Sequence, residues 1–269
     1  MSRKKGLIAQ AALDQAQDLI YDAWEADTGA RRIALAKQAL ATSPLCADAY
    51  VLLAEHAEIG SEGELELWRR GLEAGEAALG KKDFEEYAGL FWGVLETRPY
   101  LRARLGLAQA LWRRGIRDEA IDHLRAMLQL NPNDNQGVRY VLAGYLAEAA
   151  RDRDLALLLA EYEGDYSAAW TWTAALLAFR RNGAIEESDA LLAEALASNR
   201  HVAPYLLGER RLPRHSPRYI NPGQKDEAAY YVKEFSAGWT MTPGAIDWLR
   251  ARTAAMKAPP RRPRQSRLH

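Results

Sequence analysis

The segment Asn131-Pro-Asn-Asp-Asn-Gln-Gly-Val-Arg-Tyr140 lies between two strongly helical runs, and the pattern of the middle of the chain can be counted outward from it. Pro132 is expected to end the preceding helix, because proline lacks an amide donor and disfavours helix in the residue before it. Asp134 or Asn135 can then cap the next helix by accepting hydrogen bonds from its first amides. The segment therefore predicts a junction between two helices.

Small and apolar residues recur around this junction with a period of 34 residues, which is typical of tetratricopeptide repeats. Residues 101–134 match that repeat best. Small residues allow the two helices of a hairpin to approach, and larger ones fill the space between them. The matching positions are Leu107, Ala108, Leu111, Gly115, Ala120 and Pro132 in this unit, Ala149, Asp154, Leu158 and Glu161 in the next, and Gly183, Ser188, Leu192, Ala195 and Asn199 in the third.

The pattern predicts an all-α protein, an α-solenoid of tetratricopeptide-like helical hairpins, because helical spacing recurs and two-residue alternation is almost absent. Residues 1–256 are expected to form a single repeat domain, in which residues 200–256 are an irregular C-terminal helical cap. The interval before Arg98-Pro99 exceeds one period, so residues 82–96 are predicted to form an extra helix that ends there. Residues 257–269, rich in proline and arginine, are expected to be disordered.

The charge is unevenly distributed along the chain. Formal net charge is zero, with 36 basic and 36 acidic residues, but residues 250–269 hold seven basic side chains and no acidic one. Residues 1–5 add three more, so the remaining 26 basic residues face all 36 acids and the chain between the ends carries about −10. An acidic body is not typical of a general nucleic-acid-binding protein, which leaves the basic tail as the candidate surface for nucleic acid.

Composition also indicates a compartment. Cys46 is the only cysteine, so no internal disulfide can form, which fits a reducing environment. Gln10 and Asp14 interrupt the apolar run that a signal peptide would need. No window approaches the roughly 20 apolar residues of a membrane span. The sequence therefore predicts a soluble cytoplasmic protein without a membrane partner.

Several stretches resemble a known family. Cys46-Ala-Asp-Ala-Tyr-Val-Leu-Leu-Ala-Glu55 and Gly71-Leu-Glu-Ala-Gly-Glu76 are similar to the suppression-of-tumorigenicity-seven family. Glu96-Thr-Arg-Pro-Tyr100 and the junction at 131–140 are similar to its bacterial tetratricopeptide-like relatives. The resemblance covers roughly residues 30–250, and it implies a helical-repeat fold and no established catalytic activity. The membrane spans of animal members and the cysteine-rich zinc module of some bacterial members have no counterpart in this sequence.

The sequence offers little for catalysis or metal binding. Cys46 can be interpreted as a low-pKa thiolate at a helix start, but a small buried residue is the commoner role of such a cysteine. No two histidines share the i, i+3 or i, i+4 spacing that places two ligands on one helical face. We therefore predict no enzyme, no metal site and no cofactor. The histidines are His56, His123, His201, His215 and His269.

A concave surface is the predicted binding site, because the first helix of each tetratricopeptide hairpin lines it. Counted from Leu101, inward positions 2, 5, 9, 12 and 13 hold five arginines and no carboxylate. Guanidinium groups suit bidentate capture of carboxylate or phosphate. The alternative left open is that these arginines are solvated or pair with acidic residues of neighbouring helices. The inward residues are Arg102, Leu105, Gln109, Trp112 and Arg113, then Gln136, Arg139, Ala143, Leu146 and Ala147, then Trp170, Thr173, Leu177, Arg180 and Arg181.

The junction and its equivalent one repeat earlier add further candidates. Capping and turning the chain account for Asp134 and Gly137, whereas a cap does not require Gln136 or Arg139. Arg98 and its neighbour Tyr100 occupy the earlier position. The predicted peptide-binding residues are Arg98, Tyr100, Arg102, Gln109, Arg113, Gln136, Arg139, Trp170, Arg180 and Arg181.

The favoured hypothesis is a non-enzymatic interaction module or scaffold whose concave groove binds an acidic or C-terminal peptide of a partner protein. The alternative is a nucleic-acid-associated accessory protein that uses the basic C-terminal tail, since clustered cations attract phosphates. A thiol enzyme built on Cys46 is the remaining alternative.

Overall fold

Side chains at the helix starts explain where helices begin. In the computed structural model, which describes residues 2–215 and 219–257, the Thr28 hydroxyl accepts a hydrogen bond from the amide of Arg31 (3.3 Å). The Ser61 hydroxyl accepts from the amide of Glu64 (3.0 Å), and the Glu64 carboxylate accepts from the amide of Gly60 (2.5 Å). These contacts satisfy amides that have no acceptor within the first helical turn.

The described residues form helices and no strand, which confirms the predicted all-α class. Alanine and leucine, which favour helix, dominate most of these segments. The helices are α1 (Ser2–Glu25), α2 (Gly29–Thr42), α3 (Ala47–Glu55), α4 (Glu62–Glu86), α5 (Arg98–Arg113), α6 (Arg117–Leu130), α7 (Val138–Glu148), α8 (Asp152–Glu161), α9 (Ala168–Asn182), α10 (Glu186–Ser198), α11 (Val202–Leu206), α12 (Lys225–Thr240) and α13 (Ala245–Lys257), with two short 3₁₀ helices at Phe91–Gly93 and Leu95–Thr97.

The chain divides into two units, Met1–Leu142 and Ala143–His269. In the first unit consecutive helices pack against each other: α1 against α2, α3 against α4, α4 against α5, and α5 against α6. Short connections place such neighbours antiparallel, as in helical hairpins. The assembly of these hairpins into a solenoid, and the single domain over residues 1–256, stay predictions.

The turns before α6, α8 and α10 keep close to the predicted period of 34 residues. Each of α6, α8 and α10 follows a residue in the left-handed backbone region, which is Gly115 (φ 78°), Ala150 (φ 53°) and Gly183 (φ 73°). The turn residue of the middle unit is therefore Ala150, one position after the Ala149 that the 34-residue step predicts. Left-handed backbone crowds a Cβ atom against the chain, so Ala150 carries strain that the two glycines avoid.

The predicted extra helix over residues 82–96 is wrong beyond residue 86, and its first five residues belong to α4. α4 continues beyond a break at Gly80 (φ 71°, ψ 167°) and ends at Glu86. The residues that follow form a turn and the two 3₁₀ helices before α5 begins at Arg98. Pro99 therefore lies in the first turn of α5 rather than after the end of a helix. Proline suits that position because the first amides of a helix have no helical acceptor.

Glycines let α4 and α5 approach each other closely. A Cβ atom placed at Gly75 would lie 2.9 Å from the Cβ atom of Tyr100 and 3.0 Å from its Cα atom. A Cβ atom placed at Gly71 would lie 3.3 Å from the Cβ atom of Ala103. All three distances are shorter than ordinary contacts between carbon atoms, so the spacing of the two helices depends on glycine at these positions.

In the second unit, aromatic residues of the segment after α10 are buried against α9. Trp239 of α12 and Trp248 of α13 are both buried. The ring of Trp172 in α9 lies 5.9 Å from that of Trp239. α13 includes Lys257, and the rest of the tail that is predicted to be disordered, residues 258–269, lies outside the described residues.

The contact between Gly106 of α5 and the indole ring of Trp68 provides a test of this packing, because a Cβ atom at Gly106 would overlap the ring. Trp68 is buried and donates to the Glu64 carboxylate (3.3 Å), so it is not free to move away. We expect Gly106→Ala to lower the free energy of unfolding by about 1–3 kcal/mol, the usual cost of overpacking. Urea denaturation measures this difference.

The matched control is Gly63→Ala. Gly63 lies in α4, and only the Ser61 hydroxyl comes within 4 Å of a Cβ atom placed there. Alanine favours helix over glycine, so this variant should leave stability unchanged or raise it. Equal destabilisation by the two variants would contradict the close packing of Gly106 on Trp68.

Candidate binding groove

A groove of about 370 Å³ opens in the first unit, between α1, α4 and α5. Its volume falls within the range of ligand pockets, about 300–1,000 Å³. One face of α1 borders it, and the residues of that face recur at intervals of three and four, as expected for one side of a helix. This stripe of α1 consists of Gln10, Leu13, Asp14, Gln17, Asp18 and Tyr21.

A second face of α1 is buried in the core of the first unit. Ala16, Ile20 and Ala23 are fully buried and pack in one cluster with Leu35 of α2 and Leu52 of α3. Alanine at two of these three positions brings the backbone of α1 close to its neighbours. The amphipathic pattern of α1 therefore holds the stripe of α1 at the edge of the groove.

Buried residues form the floor of the groove, and exposed apolar residues stand at its rim. Ala47, Leu79 and Tyr100 line the groove and are buried. Tyr21 is 52% exposed and Leu95 is 65% exposed, although both are large apolar side chains. Exposed apolar groups beside a concave surface are typical of interaction sites.

Arg102 is a predicted site residue that lines the groove, and its guanidinium is bound to a buried carboxylate. Its Nε donates to Asp48 Oδ1 (2.7 Å) and its Nη2 donates to Asp48 Oδ2 (2.5 Å). Asp48 is fully buried, and Gln17 Nε2 also donates to it (3.0 Å). The guanidinium lies over the ring of Trp24 at 5.2 Å. This geometry matches the alternative in which the arginines pair with acidic residues of neighbouring helices.

Other predicted arginines are also paired within the protein. Arg113 forms an ion pair with Glu64, which is buried. Arg180 donates to the Asp152 carboxylate (3.0 Å) and to the carbonyls of Ala147 (2.7 Å) and Gly238 (2.9 Å). The side chain of Arg180 is 8% exposed, so its donors serve the packing of the second unit. The inward positions counted from the sequence contain no carboxylate, but Arg113 and Arg180 at these positions pair with carboxylates of other helices.

At the junction, Asp134 is the residue that caps α7. Its carboxylate accepts from the amides of Val138 (2.7 Å) and Arg139 (2.9 Å) and from Arg139 Nη1 (3.1 Å). Arg139 Nη2 donates to the Tyr140 hydroxyl (2.7 Å). Arg98 makes a comparable local contact one repeat earlier, where its Nε donates to the carbonyl of Trp92 (3.0 Å).

The remaining predicted site residues differ in accessibility. Tyr100 and Trp170 are buried, and the Trp170 indole N–H donates to the carbonyl of Leu159 (3.4 Å). Gln109 and Gln136 are half-buried. Arg181 is exposed and donates to the carbonyl of Asp152 (3.0 Å) in the second unit. The ten residues as one peptide-binding site stay a prediction.

Tyr100 and Arg102 are the predicted residues that line the groove, and sequence reasoning missed the stripe of α1. α1 precedes the repeats that the 34-residue period covers, so the period assigned it no inward positions. Asp14, Asp18 and Tyr21 do share one helical face in the sequence, and this spacing is the signal that could have identified the stripe.

Cys46 is buried in the core cluster behind the groove. Burial raises the pKa of its thiol to about 11, although amide contacts at the start of α3 act in the opposite direction. A thiol in this setting is mostly protonated at neutral pH, and the thiolate is the reactive form. Within residues 2–215 and 219–257, no group of three His, Cys, Asp or Glu side chains could hold a metal ion.

The Asp48–Arg102 pair provides a test of how the groove is supported. Removing Arg102 would leave a fully buried carboxylate without its cation. We expect Arg102→Met to lower the free energy of unfolding by about 3 kcal/mol, in line with broken buried pairs. Arg114→Met is the control, because its partner Glu62 is 79% exposed and such pairs contribute about 0–1 kcal/mol. Similar losses in urea denaturation of both variants would contradict this role.

Helices in the described parts of the chain include none that is long and apolar enough to cross a membrane.

The sequence model of the family described as ST7 protein matches residues 8–256. The Protein ST7 homolog of Caenorhabditis elegans is 28% identical over 274 residues, which cover 86% of this chain and 49% of the nematode protein. This chain therefore spans about half the length of that relative. The match over most of the chain confirms the family resemblance: the chain belongs to the ST7 protein family.

Proposed function

We propose that this chain is a non-enzymatic binding module that takes a segment of a partner protein into the groove between α1, α4 and α5. The observation that carries this proposal is the combination of a concave surface with a buried floor and the exposed apolar side chains Tyr21 and Leu95 at its rim. Aromatic and aliphatic anchors that enter a pocket supply most of the affinity in protein interfaces.

The dimensions of the groove support a short segment as its occupant. A volume of about 370 Å³ accommodates a few side chains rather than a folded domain. Ala47, Gly75 and Ala78 keep its floor open because their side chains are small or absent. An extended or helical peptide that places one or two apolar side chains on this floor would be held by the rim on both sides.

A non-catalytic role is part of the proposal. Cys46, the one candidate nucleophile, is buried and its thiol pKa is raised to about 11, which opposes thiol chemistry. A cytoplasmic location, inferred from the single cysteine, is also part of the proposal.

A pair of adjacent alanines in α4 allows a direct test. Ala78 lines the groove, whereas Ala77 is exposed and does not line it. Peptides selected from a random dodecapeptide library on the immobilised full chain are titrated by fluorescence anisotropy. We expect Ala78→Trp, which fills the groove, to weaken their binding at least about tenfold, and Ala77→Trp to leave it unchanged. Equal binding to both variants, or selection of no peptide, would contradict the proposal.

A second candidate is the acidic or C-terminal peptide partner predicted from the sequence, and charge in the second unit favours it. Burial, followed by the positive charge of Arg200, Arg210 and Lys225, lowers the pKa of His201. A local excess of positive charge suits carboxylates. If this surface binds a glutamate-rich peptide, Arg210→Glu with Lys225→Glu should abolish binding, and Lys81→Glu in the first unit should not. Retained binding in the double variant excludes this surface.

Nucleic-acid binding through the basic tail is the remaining alternative, and its residues 258–269 lie outside the described part of the chain. Electrostatic contact with phosphates would make such binding fall steeply with salt. Deleting residues 257–269 should then abolish a gel shift with double-stranded DNA or RNA, and an unchanged shift excludes the tail as the binding segment.

A further inference from the structure

We infer that the segment bound in the groove is basic as well as apolar, with lysine or arginine side chains beside its apolar anchors. The inference rests on the proposed function, and it names the chemical class of the partner segment. Its basis is the charge of the groove lining together with the exposed apolar side chains at the rim.

Four carboxylates border the groove from two sides. Asp14 and Asp18 lie on α1, one helical turn apart, so both side chains face the same direction. Asp83 on α4 and Glu96 in the second 3₁₀ helix border it from the other side. Asp14, Asp18 and Glu96 are exposed and Asp83 is half-buried, so a ligand can reach them. Such an arrangement of carboxylates attracts cations.

Among the described residues that line the groove, Arg102 is the one basic residue, and it does not neutralise these four carboxylates. Its guanidinium is held by both carboxylate oxygens of the buried Asp48. Asp48 and Arg102 therefore compensate each other, and the lining residues that the structure describes keep a surplus of about four negative charges. The Asp14 carboxylate accepts a hydrogen bond from the neutral side-chain amide of Gln10 (2.9 Å).

The apolar part of the lining sets the other requirement for the ligand. Leu13, Leu45 and Leu79 also line the groove, and Tyr21 and Leu95 line it with largely exposed side chains. A purely cationic ligand such as a polyamine would leave these groups uncovered. A peptide that alternates basic and apolar side chains would cover them and place its cations beside the carboxylates. The tyrosine ring adds a face on which an ammonium or guanidinium group can stack.

The same charge argues against the other classes of ligand for this site. An acidic peptide or a nucleic acid would bring further negative charge to a lining whose described residues are already predominantly acidic. The acidic partner discussed above would bind the second unit instead.

The composition of the selected peptides tests the inference. Dodecapeptides are recovered from the random library on the full chain, and those whose binding is weakened by Ala78→Trp are called groove-blocked peptides. We expect the groove-blocked peptides to carry net positive charge. They should also bind more weakly as salt increases, because the Debye length, about 8 Å at physiological ionic strength, shortens and the attraction between opposite charges weakens. Groove-blocked peptides that are neutral or acidic would overturn the inference and leave the proposed function standing. If Ala78→Trp blocks no peptide, the proposed function fails first.

Charge reversal on α1 supplies the second measurement. The double variant Asp14→Lys/Asp18→Lys changes two exposed residues of the stripe of α1, so the fold should be retained, as circular dichroism can verify. We expect the dissociation constant of the tightest groove-blocked peptide to rise at least about tenfold. Asp22→Lys/Glu25→Lys makes the same change of net charge on the same helix outside this groove and should leave the constant unchanged. Equal effects of the two double variants would overturn the inference, since only net charge would then matter.

Discussion

The close contact between α4 and α5 is the constraint on which the rest of the first unit depends. Gly75 meets the backbone of Tyr100, and both residues also line the groove. The contact that sets the spacing of the two helices therefore also shapes the floor of the groove. Because Trp68 packs on Gly106 in the same interface, tight packing extends along both helices rather than ending at one point.

Charge is distributed in the first unit so that α5 is tied to its neighbours and the groove remains acidic. Arg102 reaches the buried Asp48 of α3, and Arg113 reaches the buried Glu64 of α4. Buried carboxylates need a cation or several hydrogen bonds, and arginine supplies both through its planar fork. The arginines that suggest a basic binding surface in the sequence are thereby engaged in packing. The exposed carboxylates, Asp14 among them, are left to determine the sign of the groove.

The sequence predicted features that depend on local spacing and missed those that depend on distant residues. The all-α class and the cap at Asp134 follow from patterns of neighbouring residues. The turns before α6, α8 and α10 follow from the regular spacing of successive repeats. The pairing of Asp48 with Arg102 joins residues 54 positions apart, which no local pattern reveals. The helix that apolar spacing predicted over residues 82–96 ends at Glu86 instead. The groove was missed because α1 lies outside the counted repeats.

The chain belongs to the ST7 protein family, and the groove supplies a hypothesis for how this chain binds a partner. The most direct measurement of the central claim is a titration of the ¹⁵N-labelled full chain with a groove-blocked basic peptide, followed by amide chemical shifts. The account predicts the largest changes at groove residues, such as Asp18, Leu79 and Glu96. Changes confined to the surroundings of Arg113 or Arg181, with these groove amides unmoved, would contradict it.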